Sequence, residues 1–247
     1  MKFAEVLCSF CVKLLPLAVV LASSTAALAE PYVPPAGLGT PGRRESAGTR
    51  GCILAGAPTE LIGLIPTENI GLSATPYPRF YWYMPISQAQ SFRFSLFQVD
   101  ESGAPLSILY TTRLDVPQDE TGLGRAGIVS FEVPETANQP GLEPGDRYLW
   151  QIEAFCNPAN ETGDLQISGW VEYRPPSQGL SSVLPLVSAS DQVSLYTQNG
   201  FWFDAVAQLA TLQTAADGSD RSWAARWSEL LESVDLSQLD DQPLLSN

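Results

Sequence analysis

Between residues 52 and 176 the apolar positions come in short runs broken by Gly, Pro, Asp and Ser, and within several runs they alternate with polar ones. A period of two predicts half-buried β-strands. Seven runs qualify: 61–66, 79–84, 91–99, 106–114, 127–133, 148–156 and 166–173. In the sixth, Tyr148, Trp150, Ile152, Ala154 and Cys156 share one face, with Gln151 and Glu153 on the other. In the third, Phe92, Phe94 and Leu96 alternate against Arg93, Ser95 and Phe97. Asp100-Glu101-Ser102-Gly103 reads as a hairpin turn, with Gly103 where a positive φ is easiest.

After Pro176 the period changes. Residues 177–190 form a Ser- and Pro-containing connector, and 191–235 read as a helical hairpin. Its first arm places Tyr196, Gly200, Phe203, Val206 or Ala207, and Ala210 at helical spacing. The second places Trp223, Trp227, Leu230 and Val234 at i, i+4, i+7 and i+11. A lone helical pair leaves an apolar face that must pack on the strands or on a partner. Residues 236–247 read as an acidic, fraying tail. Within the β region, Leu142-Glu143-Pro144-Gly145-Asp146-Arg147-Tyr148 matches a tyrosine corner, in which the tyrosine hydroxyl bonds back to the connection before its strand. The expected fold is therefore α+β: an immunoglobulin- or fibronectin-like antiparallel β-sandwich over 52–176, followed by the helical hairpin.

The N-terminus follows other rules. Lys2 and Lys13 precede or flank a nine-residue apolar core, Leu14 to Ala22, and Ala27-Leu28-Ala29 is a small-x-small site. Residues 1–29 read as a signal peptide cleaved after Ala29, and the core is too short for a membrane span, which needs about 20 residues. The mature chain is then periplasmic or secreted, with no transmembrane segment. Residues 30–51, with four prolines and five glycines, read as a flexible leader. Its Arg43, Arg44 and Arg50 are either solvated or a docking arm for an acidic surface or anionic lipid.

Cleavage sharpens the composition. The full chain has 13 basic and 27 acidic side chains, four cysteines and no histidine. Removing Lys2, Lys13, Glu5, Cys8 and Cys11 leaves eleven arginines, 26 carboxylates and two cysteines, with neither lysine nor histidine. Ser-His-Asp and Cys-His activation, His-containing zinc sites, Schiff-base chemistry and a phosphate-loop lysine are thereby excluded. Nucleic acid is not an expected partner of so acidic a surface. Carboxylate chemistry, hard-cation binding or no chemistry remains, and no cofactor is expected.

Four constellations stand out. Cys52 and Cys156, the surviving pair, form one disulfide in an oxidising compartment or remain two buried thiols. Closing so long a loop contributes about 4.7 kcal/mol in the chain-entropy model. Phe80, Tyr81, Trp82 and Tyr83 put rings on both faces of a strand, so Tyr81 and Tyr83 are candidates for a ligand platform, core packing being the bland alternative. Asp115, Asp119 and Glu120 are weak calcium candidates in what otherwise reads as a solvated acidic loop. Asn160-Glu161-Thr162 is a formal glycosylation sequon that marks an exposed turn.

Several segments, in order, resemble one family: Gly42-Arg43-Arg44, Gly48-Thr49-Arg50-Gly51-Cys52, Leu64-Ile65-Pro66, Gly71-Leu72-Ser73, Pro78-Arg79-Phe80-Tyr81-Trp82-Tyr83-Met84-Pro85, Gly127-Ile128-Val129, Tyr148-Leu149-Trp150, Cys156, Asn199-Gly200-Phe201-Trp202-Phe203-Asp204-Ala205 and Trp227-Ser228-Glu229-Leu230-Leu231. The chain is similar to the cyanobacterial domain-of-unknown-function 928 family of exported proteins. That resemblance implies a cyanobacterial source, export and the β-then-α plan, and it carries no assigned activity. The expected function is a noncatalytic binding or envelope-associated module, whose partner is a protein or polysaccharide of the cell envelope. A carboxylate-dependent glycan hydrolase and a calcium-stabilised structural domain are the alternatives.

Overall fold

The computed structural model describes residues 31–39, 42–46, 52–136, 140–157, 159, 160, 162–215 and 222–245. The expected signal peptide 1–29 and Arg50 lie outside the described residues. Described residues form ten strands and then four helices, a mixed α+β chain. The strands are β1 (Ile53–Ala55), β2 (Ile62–Gly63), β3 (Gly71–Ser73), β4 (Arg79–Met84), β5 (Ile86–Ser87), β6 (Ser91–Val99), β7 (Pro105–Asp115), β8 (Gly127–Glu132), β9 (Arg147–Phe155) and β10 (Leu165–Tyr173). The helices are α1 (Gln178–Val183), α2 (Ala189–Gln198), α3 (Trp202–Ala215) and α4 (Ser222–Glu232).

Five strands form one sheet in the order β3-β10-β9-β6-β7, three form another in the order β2-β4-β8, and β1 pairs with β5. Pairing is antiparallel except that β3 lies parallel to β10, which corrects the fully antiparallel expectation. Alternation places Phe92, Phe94 and Leu96 of β6 and Trp150 and Ile152 of β9 on an inner face, each at most 1% exposed. Rings from the smaller sheet meet them: Phe80 lies 5.0 Å from Phe94 and 5.3 Å from Trp150, and Trp82 lies 5.4 Å from Phe92. Burying one such ring is worth about 1.5–3 kcal/mol, so this aromatic layer holds the two sheets face to face. Cys52 and Cys156 stand at disulfide distance, with Cα atoms 5.6 Å apart.

Irregular segments close most of the sheet edges. Glu45 bridges Ile62 of β2, and Leu244 bridges Ile128 of β8. The Leu72 N–H of β3 donates to the Gly200 carbonyl at 3.3 Å. The stretch read as a flexible leader thus contributes backbone pairing, and it also buries Tyr32 and Leu38. At Gly42 a Cβ would lie 2.5 Å from the Ser168 carbonyl oxygen, so only glycine fits this approach to β10. The tail read as fraying buries Leu236, Leu239 and Leu245.

The helical part departs from a simple hairpin. The periodicity running from Tyr196 to Ala210 is divided at Gly200, whose φ of 77° ends α2 in a left-handed turn. Phe201 N–H bonds the Tyr196 carbonyl at 3.0 Å and Gly200 N–H the Thr197 carbonyl at 3.3 Å, a Schellman closure that starts α3 in a new direction. The connector 177–190 holds α1 and a 3-10 turn, Leu184–Leu186, neither of which buries a residue. Trp202, Phe203, Val206 and Leu209 of α3 are all buried, and Phe203 meets Phe80 edge-on at 5.4 Å. Helix α3 therefore completes the core between helices and strands.

Candidate functional site

The outer face of the five-stranded sheet should be polar, and for most of its length it is. Arg93 on β6 pairs with Glu153 on β9 at 2.6 Å, Gly163 N–H also donates to Glu153, and the Arg93 and Arg113 guanidiniums lie over the Phe155 ring. Beyond Ser95 the alternation breaks. Phe97, Leu149 and Trp170 occupy outward positions on three adjacent strands, and the register sets Phe97 opposite Leu149 and Leu149 opposite Trp170. A bulge supplies the fourth member. Leu96 pairs with Tyr110 while Phe97 pairs with Ile108, so Leu109 is the extra residue and Ile108 turns outward. The outcome is an apolar row across four strands, roughly 14 Å long at normal strand spacing. Ile108 is 60% exposed and neighbouring Leu106 66%.

At its inner end the row enters a cleft of about 700 Å³, with Trp170 beside the β6–β7 turn and the turn before β9. Gly103 packs so closely on the indole that a Cβ would meet it at 3.0 Å, and its φ of 85° also calls for glycine. Asp100, Glu101 and Asp146 line this cleft together with Arg147, which is ion-paired to Glu172 at 3.3 Å. Asp100 Oδ1 accepts from Ser102 N–H, Ser102 Oγ and Ala104 N–H, and these bonds hold its carboxyl below the ordinary range.

A second cleft, of about 260 Å³, lies where the helices meet the small sheet. It brings Asp204 from the first turn of α3 together with Glu132 of β8 and Tyr196 of α2. Asp204 Oδ2 accepts Ala74 N–H at 2.7 Å. Burial nevertheless pushes the carboxyl up to about 7. Glu132 is ion-paired with Arg79 at 2.7 Å.

Residues 45–244 match the family model described as Domain of Unknown Function (DUF928). The chain belongs to the DUF928 family. No curated protein matches it. The DUF928 region begins and ends on Glu45 and Leu244, the two residues that bridge the edges of the three-stranded sheet. Its segments 78–85 and 199–205 come together at the second cleft, where Pro78 and Arg79 face Phe203 and Asp204.

The DUF928 fold places the other candidate residues outside these two clefts. Tyr81 and Tyr83 are 5% and 0% exposed, so neither ring offers a face to solvent and the platform reading is corrected to core packing. They alternate on β4, yet the far side of that strand is covered as well: Tyr81 borders a cavity shared with α3 and the C-terminal Leu244, and Tyr83 Oη donates to the Pro58 carbonyl at 3.3 Å. Arg44 is likewise committed within the chain. Its guanidinium donates to the Val234 carbonyl at 2.8 Å and to the Asp235 carbonyl, closing the end of α4. Arg43 is exposed, while its backbone pairs with Ser168. Asp119 Oδ1 accepts from Thr121 N–H, Thr121 Oγ1 and Leu123 N–H, so the loop uses this oxygen for its own turn. Asp115 and Glu120 are exposed, and among the described residues no three of His, Cys, Asp and Glu are grouped to hold a metal. Among these residues no helix is long and apolar enough to cross a membrane.

Proposed function

We propose that the protein is an exported, noncatalytic binding module of the cell envelope. The supporting observation is the apolar row from Ile108 to Trp170, which runs from exposed Ile108 to the larger cleft, where Trp170 packs beside Leu38 and Ile70. An exposed apolar strip rimmed by polar groups is the usual mark of an interaction surface. The scaffold in this reading is an immunoglobulin-type sandwich. Its support is the strand order together with Tyr148, whose hydroxyl accepts Glu143 N–H at 3.0 Å as a tyrosine corner requires. The test is co-sedimentation of the purified protein with an isolated cell-envelope fraction. Retention should fall sharply in a Leu106→Ser, Ile108→Ser double variant that melts like the parent. Equal retention of parent and variant, or none of either, overturns the proposal.

A glycan hydrolase is the second reading, and the smaller cleft favours it. Asp204 holds its proton to about 7, as a general acid needs, and Glu132 lines the same space as the second carboxyl. Release of reducing ends from soluble polysaccharides, abolished by both Asp204→Asn and Glu132→Gln, supports it. Absence of release by the parent chain ends it.

A further inference from the structure

We infer that the apolar row and its cleft take an extended polypeptide segment of a partner protein, with alternating apolar side chains and a lysine or arginine at the Trp170 end. This rests on the binding-module reading and narrows it to one class of ligand.

The first argument is shape. The row presents Ile108, Phe97, Leu149 and Trp170, one side chain per strand. An extended segment laid across the strands brings alternate side chains down about every 6.8 Å, so three apolar residues at i, i+2 and i+4 cover the roughly 14 Å available. A glycan chain would want flat rings beneath successive sugars. Here two of the four members are branched aliphatic groups, and they present no flat face.

Charge makes the second argument, and it points the same way. Asp100, Glu101 and Asp146 surround the Trp170 end, against Arg147 alone, and Arg147 is already ion-paired with Glu172. The chain as a whole carries a formal charge of −14. A cation entering the cleft meets the carboxylates of Asp100, Glu101 and Asp146 beside the Trp170 side chain, a charge complementarity that favours a guanidinium or ammonium group. By contrast, the exposed end at Leu106 and Ile108 has no charged side chain between Pro105 and Thr112. The surface is therefore polarised: apolar outside, anionic inside. A partner segment should be polarised in the same sense. A second copy of this chain is disfavoured, because its own acidic surface would face the same carboxylates.

The probe is an N-acetylated heptapeptide of alternating valine and serine ending in arginine amide, with a twin ending in glutamine amide. Binding to the full chain is followed by calorimetry, with cellohexaose as a neutral glycan control. The arginine peptide should bind at least fivefold more tightly than its twin. That preference should shrink in 0.5 M salt and in the Glu101→Gln, Asp146→Asn double variant, and Ile108→Ser should weaken both peptides. If cellohexaose binds in a Trp170-dependent manner and neither peptide does, this inference fails while the binding-module reading stands. Equal binding of the two peptides overturns the inference, because the cation then contributes nothing. If the chain sediments with envelope material but binds neither probe, the partner is of another class and the inference is overturned alone. Absence of sedimentation as well overturns both.

Discussion

The joint between the helices and the small sheet and the outer end of the five-stranded sheet are built from the same residue types, yet they use them in opposite ways. At the joint the polar groups at the start of α3 have internal partners. Trp202 is fully buried, donates its indole N–H to the Leu64 carbonyl at 2.8 Å and meets Tyr32 edge-on at 5.1 Å. Asp204, beside it on α3, accepts from Ala74. At the outer end, Leu106 and Ile108 remain largely exposed, and the acidic side chains rim an open cleft. The first arrangement stabilises a fold. The second leaves contact area available to something else, and that difference is why the outer end carries the functional proposal.

The contrast breaks first at Trp202. Trp202→Ala removes a fully buried ring and leaves the Leu64 carbonyl without its donor, so it should destabilise the chain by about 3–5 kcal/mol in urea unfolding. A loss below about 1 kcal/mol would mean that the helices are not part of the cooperative core and that the joint is as loose as the outer end.

Much of this contrast was legible in the chain, and some was not. Alternation places β6 at 91–99, where one parity is the more buried, and the apolar run bounded by prolines places β4 at 79–84, which is buried on both sides. The same alternation contains the defects that matter: Phe97 among Arg93 and Ser95, Leu149 beside Gln151, and Trp170 opposite in parity to Ile167 and Val171. Each looks like noise within its own strand. Their alignment into one row depends on register, and Ile108 joins them only through the bulge at Leu109, which no local pattern announces. Tyr81 and Tyr83 show the converse limit. Alternation places them on one side of β4 but cannot say that the other elements cover that side. Gly71–Ser73 is too short for alternation to mark a strand, and its parallel pairing with β10 comes with tertiary packing under α3. Helix periodicity ran through Gly200 because the apolar spacing on either side matches, whereas a left-handed turn depends on one residue.

A smaller effect sharpens the comparison by pH. Asp204 has a folded value of about 7, raised by burial above the 3.8 of a free carboxyl. Below the lower value both states hold the proton. Between the two, the folded state retains a proton that the unfolded state has released, so this group's contribution to stability falls as pH rises through the window and levels off above about 7. Asp204→Asn keeps an acceptor for Ala74 N–H and cannot ionise. Its melting temperature, compared with the parent's from pH 4 to 8, should gain on the parent as pH rises, with the largest advantage near pH 8. A constant difference across that range would show that Asp204 titrates normally and that the joint is open to water.

The smallest expected effect is the one that most directly separates the two regions. Ile108→Ser alters a side chain that is 60% exposed on an edge strand, and surface changes of this kind usually stay within about 0.5 kcal/mol. Urea midpoints of parent and variant should therefore coincide while the peptide affinity drops. β7 is also poorly suited to recruiting a further strand, because Pro105 lacks an N–H and two register shifts twist the edge away from a flat ladder. Ligand contact should thus run through the side chains of the sheet face. Exchange protection of the β7 amides would then be the same with and without the arginine peptide. New protection of those amides on peptide addition would move the contact from the face to the edge, and the row from Ile108 to Trp170 would no longer describe how this surface binds.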